Sequence, residues 1–311
     1  MSATKKRITS LLAALLAAVI FGFSFMFSRL AMDVASPIVL LAFRFVTAFV
    51  SMSLVIGANA LVGKLRGKPL FSFSLRGKNI LPLLALGIVQ PVLYFFFENY
   101  SILYTSSAVT GTIIAVIPVA CILVDVLILR QKVRRRQVIC ALLCVGGVAL
   151  IYAGGETVIS LLGMVFLLLT LFTDVAYYTL SHKMGERFNA FEVTYVMFVV
   201  GMAVFVPAAL IEGAGHMAET FLPAIQSGGF WIAVVYLGTL SSVAAFSLLN
   251  FANARLSVSE TSIFSNVTTA VSVLAGVLLL KEPFGIFQFI GVAIILVCVY
   301  TASVTPKEKT K

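Results

Sequence analysis

The sequence predicts an all-α integral membrane protein with ten transmembrane helices. They form two inverted five-helix repeats, with both termini in the cytoplasm. Three observations carry this expectation. First, 61% of the 311 residues are hydrophobic and only 11% are charged, with a mean hydropathy of +1.10. That is more apolar surface than a soluble domain of this length can bury. Second, the basic residues cluster in alternate loops. Third, Asn99 to Val133 aligns without a gap on Asn250 to Phe284 at a shift of 151 positions. Asn99 falls on Asn250, Ser106 on Ser257, Thr110 on Thr261, Leu127 on Leu278 and Gln137 on Gln288.

Taken in order, apolar runs able to cross a bilayer, about 20 residues each, occupy 8–32, 37–57, 80–104, 107–129 and 137–153 in the first half. The second half supplies 159–181, 191–211, 230–254, 259–280 and 284–303. Runs of this length must satisfy their backbone internally and are therefore helices; barrel strands would be shorter and alternate in polarity. Lys5, Lys6 and Arg7 precede the first run as in a secretory signal. That run is too long for a signal core, and we read it as the first span.

Of the 22 Lys and Arg, 19 fall in the tails and in the loops on one side. Only Arg29 and Lys281 fall on the other, and Arg44 lies within a span. This asymmetry places both termini in the cytoplasm. It also accounts for the net charge of +10 without a nucleic-acid partner, since no polar domain is available to carry such a face. Five helices per copy is an odd number, so the second copy enters the membrane from the opposite face. The repeats are 1–155 and 156–311, and Phe21 and Phe172 extend the correspondence into the first helix of each. Inverted repeats of this kind give many secondary transporters two accessible states around one central site.

Ionisable groups within hydrocarbon cost about 2.5 to 3.5 kcal/mol each, so each needs a reason. Arg44 in the second span and Glu98 in the third both lie about 10 Å from the outer surface at the helical rise. We expect a structural ion pair between them. Asp174 lies in mid-span, with Thr170, Tyr177, Tyr178 and Ser181 on its face at helical spacing. It reads either as a site for a substrate amine or a coupling proton, or as a carboxyl held by a neighbouring helix. Asp125, near Arg130, fits a snorkelling residue, and Glu260 fits stabilisation of a helix N-terminus.

The stripe Tyr94, Glu98, Ser101 and Thr105, and the stripe Ser262, Ser265, Thr269 and Ser272 with Asn266 beside it, fit close helix packing. Asn99 and Asn250 occupy equivalent positions in the two copies and should approach the repeat interface. Phe25, Phe95, Tyr177 and Phe246 are candidate walls of a central cavity. The candidate substrate-binding residues are thus Asp174, Asn99, Asn250, Tyr177, Asn266 and Ser24.

No catalytic set is present, and nothing calls for a cofactor. The four cysteines, Cys121, Cys140, Cys144 and Cys298, lie in apolar runs and read as packing residues. His182 and His216 stand apart and form no metal set. The Gly57 to Lys64 stretch has the wrong spacing for a phosphate loop.

The chain resembles the EamA branch of the drug/metabolite transporter superfamily over nearly its whole length. The resemblance rests on FGFSFMFSRLAM in the first span, LAFRF around Arg44, ENYSILYTSSAVTGTI, and LNFANARLSVSETSIF followed by LLLKEPFGIFQFIGVAIIL. It implies a permease of the bacterial inner membrane that moves small polar metabolites, often amino acids, through a central cavity by alternating access. In such proteins a Glu closes the penultimate helix of each half. Glu282 matches this position as a structural helix-end residue, whereas the first half has Gln131. Two further readings stand beside it: efflux of amphiphilic cations against protons, and a membrane sensor or assembly protein without transport.

Overall fold

A computed structural model describes residues 3–114, 160–256, 258–262, 264–282 and 284–303, with isolated positions between 116 and 150. Among these residues every regular element is helical. The first helix, α1, runs Ala3–Met32. Helix α2 (Pro37–Arg66) starts where Ser36 accepts a hydrogen bond from the Val39 N–H at 3.2 Å and Pro37 takes the first helical position. Both are strong start signals. Gly67, at φ 70°, ends it, in the left-handed conformation that glycine adopts without steric cost.

Helix α3 covers Leu81–Tyr104 with an interruption at Gln90, which is extended (φ −144°, ψ 115°) ahead of Pro91. Proline lacks the N–H that would continue the ladder and pushes the preceding residue out of the helical region. Helix α4 is Ser107–Ile114, and α5 is Leu161–Met184, capped by the Ser160 hydroxyl. Helix α6 (Ala190–Glu212) opens on a capping box formed by Asn189 and Glu192. A shorter helix, α7 (Met217–Gln226), leads into α8 (Gly228–Asn253), whose middle third, Tyr236–Phe246, is π-helical. The chain continues through α9 (Val258–Ser262), α10 (Ser265–Leu278) and α11 (Ile286–Ser303).

Seven helices among the described residues are long and apolar enough to cross a membrane, and the shorter apolar helix Ile286–Cys298 follows them. Most of the expected fourth and fifth spans, with Cys121, Asp125, Gln131, Gln137, Cys140 and Cys144, lies outside the described residues, as does Ser257. The expected second span ended too early. Helix α2 continues to Arg66 because Asn59 anchors the following loop, accepting from Leu70 N (2.8 Å) and Phe71 N (3.1 Å) and donating to Phe71 O (2.9 Å). The amphipathic α7 was not expected, because a search for membrane-length apolar runs passes over a short two-faced helix. Trp231 Nε1 donates to Ile225 O at 2.9 Å and fixes α7 against α8.

Helix α2 packs against α6, α3 against α5, and α10 against both α1 and α4. The hydroxyl stripe of α10 seals these last contacts: Thr268 donates to Ala18 O (3.1 Å), Thr269 to Gly111 O (2.7 Å) and Ser272 to Ser107 O (3.1 Å). A Cβ on Gly111 would collide with the Ser272 side chain, so α4 and α10 approach as closely as small residues permit.

Candidate functional site

Arg44 is fully buried in α2. Its Nε donates to Ser242 Oγ at 3.2 Å and its Nη2 to Ser241 Oγ at 2.9 Å, both on the π-helical segment of α8. The guanidinium carbon lies 3.9 Å from the ring centre of Phe95 on α3, a cation–π contact that partly replaces lost hydration. The Ser241 and Ser24 hydroxyls are 2.7 Å apart, and Ser24 also reaches Ile20 O at 3.1 Å. Nη1 of Arg44 is buried with no partner.

Arg44 lines an internal space together with Glu98 and Tyr94 of α3 and Asp174 and Tyr178 of α5. Tyr94 lies one turn before Glu98 and donates its hydroxyl to Glu98 Oε1 at 2.9 Å. Asp174 lies one turn before Tyr178 on α5, and both belong to the lining. Gln90, at the break in α3, and Ser265 on α10 line the same space, and their Oε1 and Oγ atoms are buried without partners. Phe21, Phe25, Phe95 and Phe246 complete the walls. Phe246 packs edge-on against Phe21 (4.9 Å) and Phe95 (5.9 Å).

The room accessible to the centre of a water molecule is about 40 Å³. Ligand pockets for metabolites run to several hundred, so the space as described is narrow. One cation and two carboxylates around a small aromatic-walled space can hold a molecule that carries a positive charge, or both charges, on an apolar body.

The sequence-predicted residues divide sharply. Asp174 and Ser24 line the space. Tyr177 and Asn250 do not: the Tyr177 hydroxyl (2.9 Å) and the Ser181 hydroxyl (2.7 Å) both donate to Asn250 Oδ1, while Asn250 Nδ2 donates to Thr194 Oγ1 (2.9 Å). With its hydrogen-bonding capacity taken up by α5 and α6, Asn250 is a clamp between helices. Asn99 is fully buried and turns its Nδ2 back to Phe95 O at 2.8 Å. Asn266 lies outside the lining, whereas Ser265 beside it is inside.

The direct Arg44 to Glu98 ion pair expected from the sequence is not formed. The serines of α8 take two faces of the guanidinium, and Tyr94 takes the carboxylate at a spacing set by its own helix. Arg44 and Glu98 instead both line the cavity. The residues that sequence reasoning missed are Gln90, Tyr94, Ser265, Thr268 and the Ser241–Ser242 pair. Pro91 is the signal from which the break at Gln90 could have been found, and the helical period of Tyr94 with Glu98 was visible; Ser241 and Ser242 carried no signal apart from their polarity.

Glu282 lies away from the cavity, at the end of the turn that follows α10. Its Oε1 accepts from Ser107 N (3.0 Å) and Ser107 Oγ (2.7 Å), and its Oε2 accepts from Ala108 N (2.9 Å). The carboxylate therefore caps the N-terminus of α4, where unpaired N–H groups and the helix dipole favour negative charge.

A polytopic helical membrane protein with buried charged side chains around an internal, aromatic-walled space is the class that this fold and site define. The EamA-like transporter family profile matches the chain twice, over residues 8–153 and 161–304, and the chain belongs to that family. It is 32% identical to the uncharacterized transporter YcxC of Bacillus subtilis over 305 residues, covering 96% of this chain and 94% of the relative. An uncharacterized transporter of Archaeoglobus fulgidus is 22% identical over 284 residues, covering 90% and 93%. A protein known from its crystal structure shares the fold with a TM-score of 0.65 at 18% identity, over 95% of this chain and 96% of its own.

Proposed function

We propose that this protein is a secondary transporter of small polar metabolites, with amino acids or closely related compounds as substrates. It works by alternating access between two inverted halves, 1–155 and 156–311, in the bacterial inner membrane, with both termini cytoplasmic. The observation that carries the reading is the convergence of Arg44, Glu98 and Asp174 on one space between the helices. The walls come from both halves: α1 to α4 on one side, and α5, α8 and α10 on the other. Burying three ionisable side chains in a membrane interior is costly and marks a substrate or ion pathway. The two separate family matches support the division into halves.

An amino acid complements the site group by group. Its carboxylate goes to Arg44, its ammonium to the Asp174 carboxylate, and an apolar side chain to the phenylalanine walls. The reading is tested with purified protein in liposomes, offered labelled amino acids, nucleosides and amphiphilic cations with and without a pH gradient. Saturable flux of an amino acid is expected, with Asp174→Asn lowering it at least about tenfold, the scale of one charge-assisted contact. Absence of amino-acid flux, or full activity of Asp174→Asn, overturns it.

Amphiphilic cation efflux by proton antiport is the second reading. It is favoured by the excess of carboxylates over guanidinium groups in the cavity and by its aromatic walls. It predicts cation flux driven by a pH gradient and no amino-acid flux.

A further inference from the structure

We propose that Ser241 and Ser242 are the specificity-determining residues of this cavity: they hold Arg44 as a carboxylate-reading group without neutralising it. The inference rests on the amino-acid reading above and goes beyond it by naming the device that selects the carboxylate.

Arg44 is anchored by two neutral acceptors rather than by an acidic side chain. An acidic anchor would use up the positive charge, whereas a hydroxyl fixes the orientation and leaves the charge available to a ligand. Behind this anchor, Ser241 Oγ accepts both from Arg44 Nη2 at 2.9 Å and from the Ser24 hydroxyl at 2.7 Å, and Ser24 also lies 3.1 Å from Ile20 O, so the hydroxyl that holds Arg44 is itself fixed from α1. Nη1 of the guanidinium is buried without a partner, and Arg44 lines the cavity. The unpartnered Gln90 Oε1 of the same lining is an acceptor and repels a carboxylate oxygen. A ligand carboxylate is thereby directed to Arg44, and its ammonium to Gln90 and Asp174.

The backbone explains how two consecutive serines reach one guanidinium. Their segment, Tyr236–Phe246, is wound as a π-helix, whose wider turn alters the angle between successive side chains. Helix α8 also comes unusually close to α2 here, since a Cβ on Gly238 would stand 2.6 Å from Thr47 Cβ and 3.1 Å from Arg44 O. At that separation a short hydroxymethyl group spans the gap to Arg44.

The test compares phenylalanine, which carries both charges, with phenethylamine, which lacks the carboxylate, in liposomes containing wild-type, Ser241→Ala/Ser242→Ala or Ser241→Thr/Ser242→Thr protein. Wild-type protein is expected to prefer phenylalanine. The alanine pair should raise the KM for phenylalanine at least about tenfold and leave phenethylamine unchanged, and the threonine pair, which keeps the hydroxyls, should restore most of the preference. Binding is read in parallel as ligand-induced thermal stabilisation of the purified proteins, so a variant that binds phenethylamine normally is known to be folded. Equal losses for both compounds in the alanine pair, or an unchanged ratio, overturn this assignment alone. Wild-type protein that takes up neither compound overturns both this assignment and the amino-acid reading.

Discussion

Asn250 shows what a single polar residue does when its neighbours satisfy it. Its amide holds Tyr177 and Ser181 of α5 and Thr194 of α6. Replacing it with alanine leaves three buried groups short of a partner, at a net cost of about 2 to 3 kcal/mol. Asn250→Ala should therefore lower the thermal unfolding temperature in detergent while leaving the KM of the folded fraction unchanged; normal melting with lost binding would return Asn250 to the site. The repeat made Asn99 and Asn250 look like a matched pair of ligands. Stepping back 151 positions from the hydroxyl partners of Asn250 gives Met26, Leu30 and Phe43, none of which carries a hydroxyl or can donate to an amide oxygen. Asn99 accordingly bonds its own helix and leaves its Oδ1 buried and bare. The difference between the copies could be read from those three residues, but which face Asn250 presents to α5 and α6 could not, because it depends on the rotation of α8.

At the scale of an element, the end of α10 and the start of α4 form one joint. The Lys-Glu-Pro sequence marks a helix end plainly, yet the N-terminus that Glu282 caps belongs to a helix 175 residues earlier in the chain, and no local pattern announces that. Glu282→Ala removes acceptors from two helix N–H groups and a hydroxyl, and a lost cap of this type costs about 1 to 2 kcal/mol. Glu282→Gln keeps an acceptor but loses the charge, so its melting temperature should fall between wild type and Glu282→Ala. Equal melting temperatures for all three would show that the cap contributes nothing. The Gly111 contact gives a second check. Gly111→Val would push α4 off Ser272, and overpacking of this kind costs about 1 to 3 kcal/mol. The interruption in α3 was foreshadowed by Pro91, whereas the π-turn of α8 contains no proline and left no trace in the hydrophobic pattern.

For the whole molecule, the apolar runs placed most of the described membrane helices to within a turn or two, because the bilayer enforces both length and internal hydrogen bonding. The meeting of Arg44, Asp174 and Glu98 in one space was less legible, since it needs the helix order across the bundle as well as the helices. Reporter domains fused in turn to the two termini should both show cytoplasmic signals, and a split result would overturn the orientation read from the basic loops.

The loop between α2 and α3 carries a separate consequence. Buried Glu192 at the start of α6 accepts from Ser74 N (2.9 Å) and from Lys78 Nζ (2.7 Å), Asn189 Nδ2 donates to Ser72 O at 2.6 Å, and Phe71 stacks on Phe191 at 3.9 Å. A strap tied down at four points cannot easily adopt the extended shape that a protease cleft requires, however many Lys and Arg it displays. Trypsin should therefore leave the chain uncut between Lys68 and Lys78 under native conditions, and Glu192→Gln should make that stretch an early cleavage site.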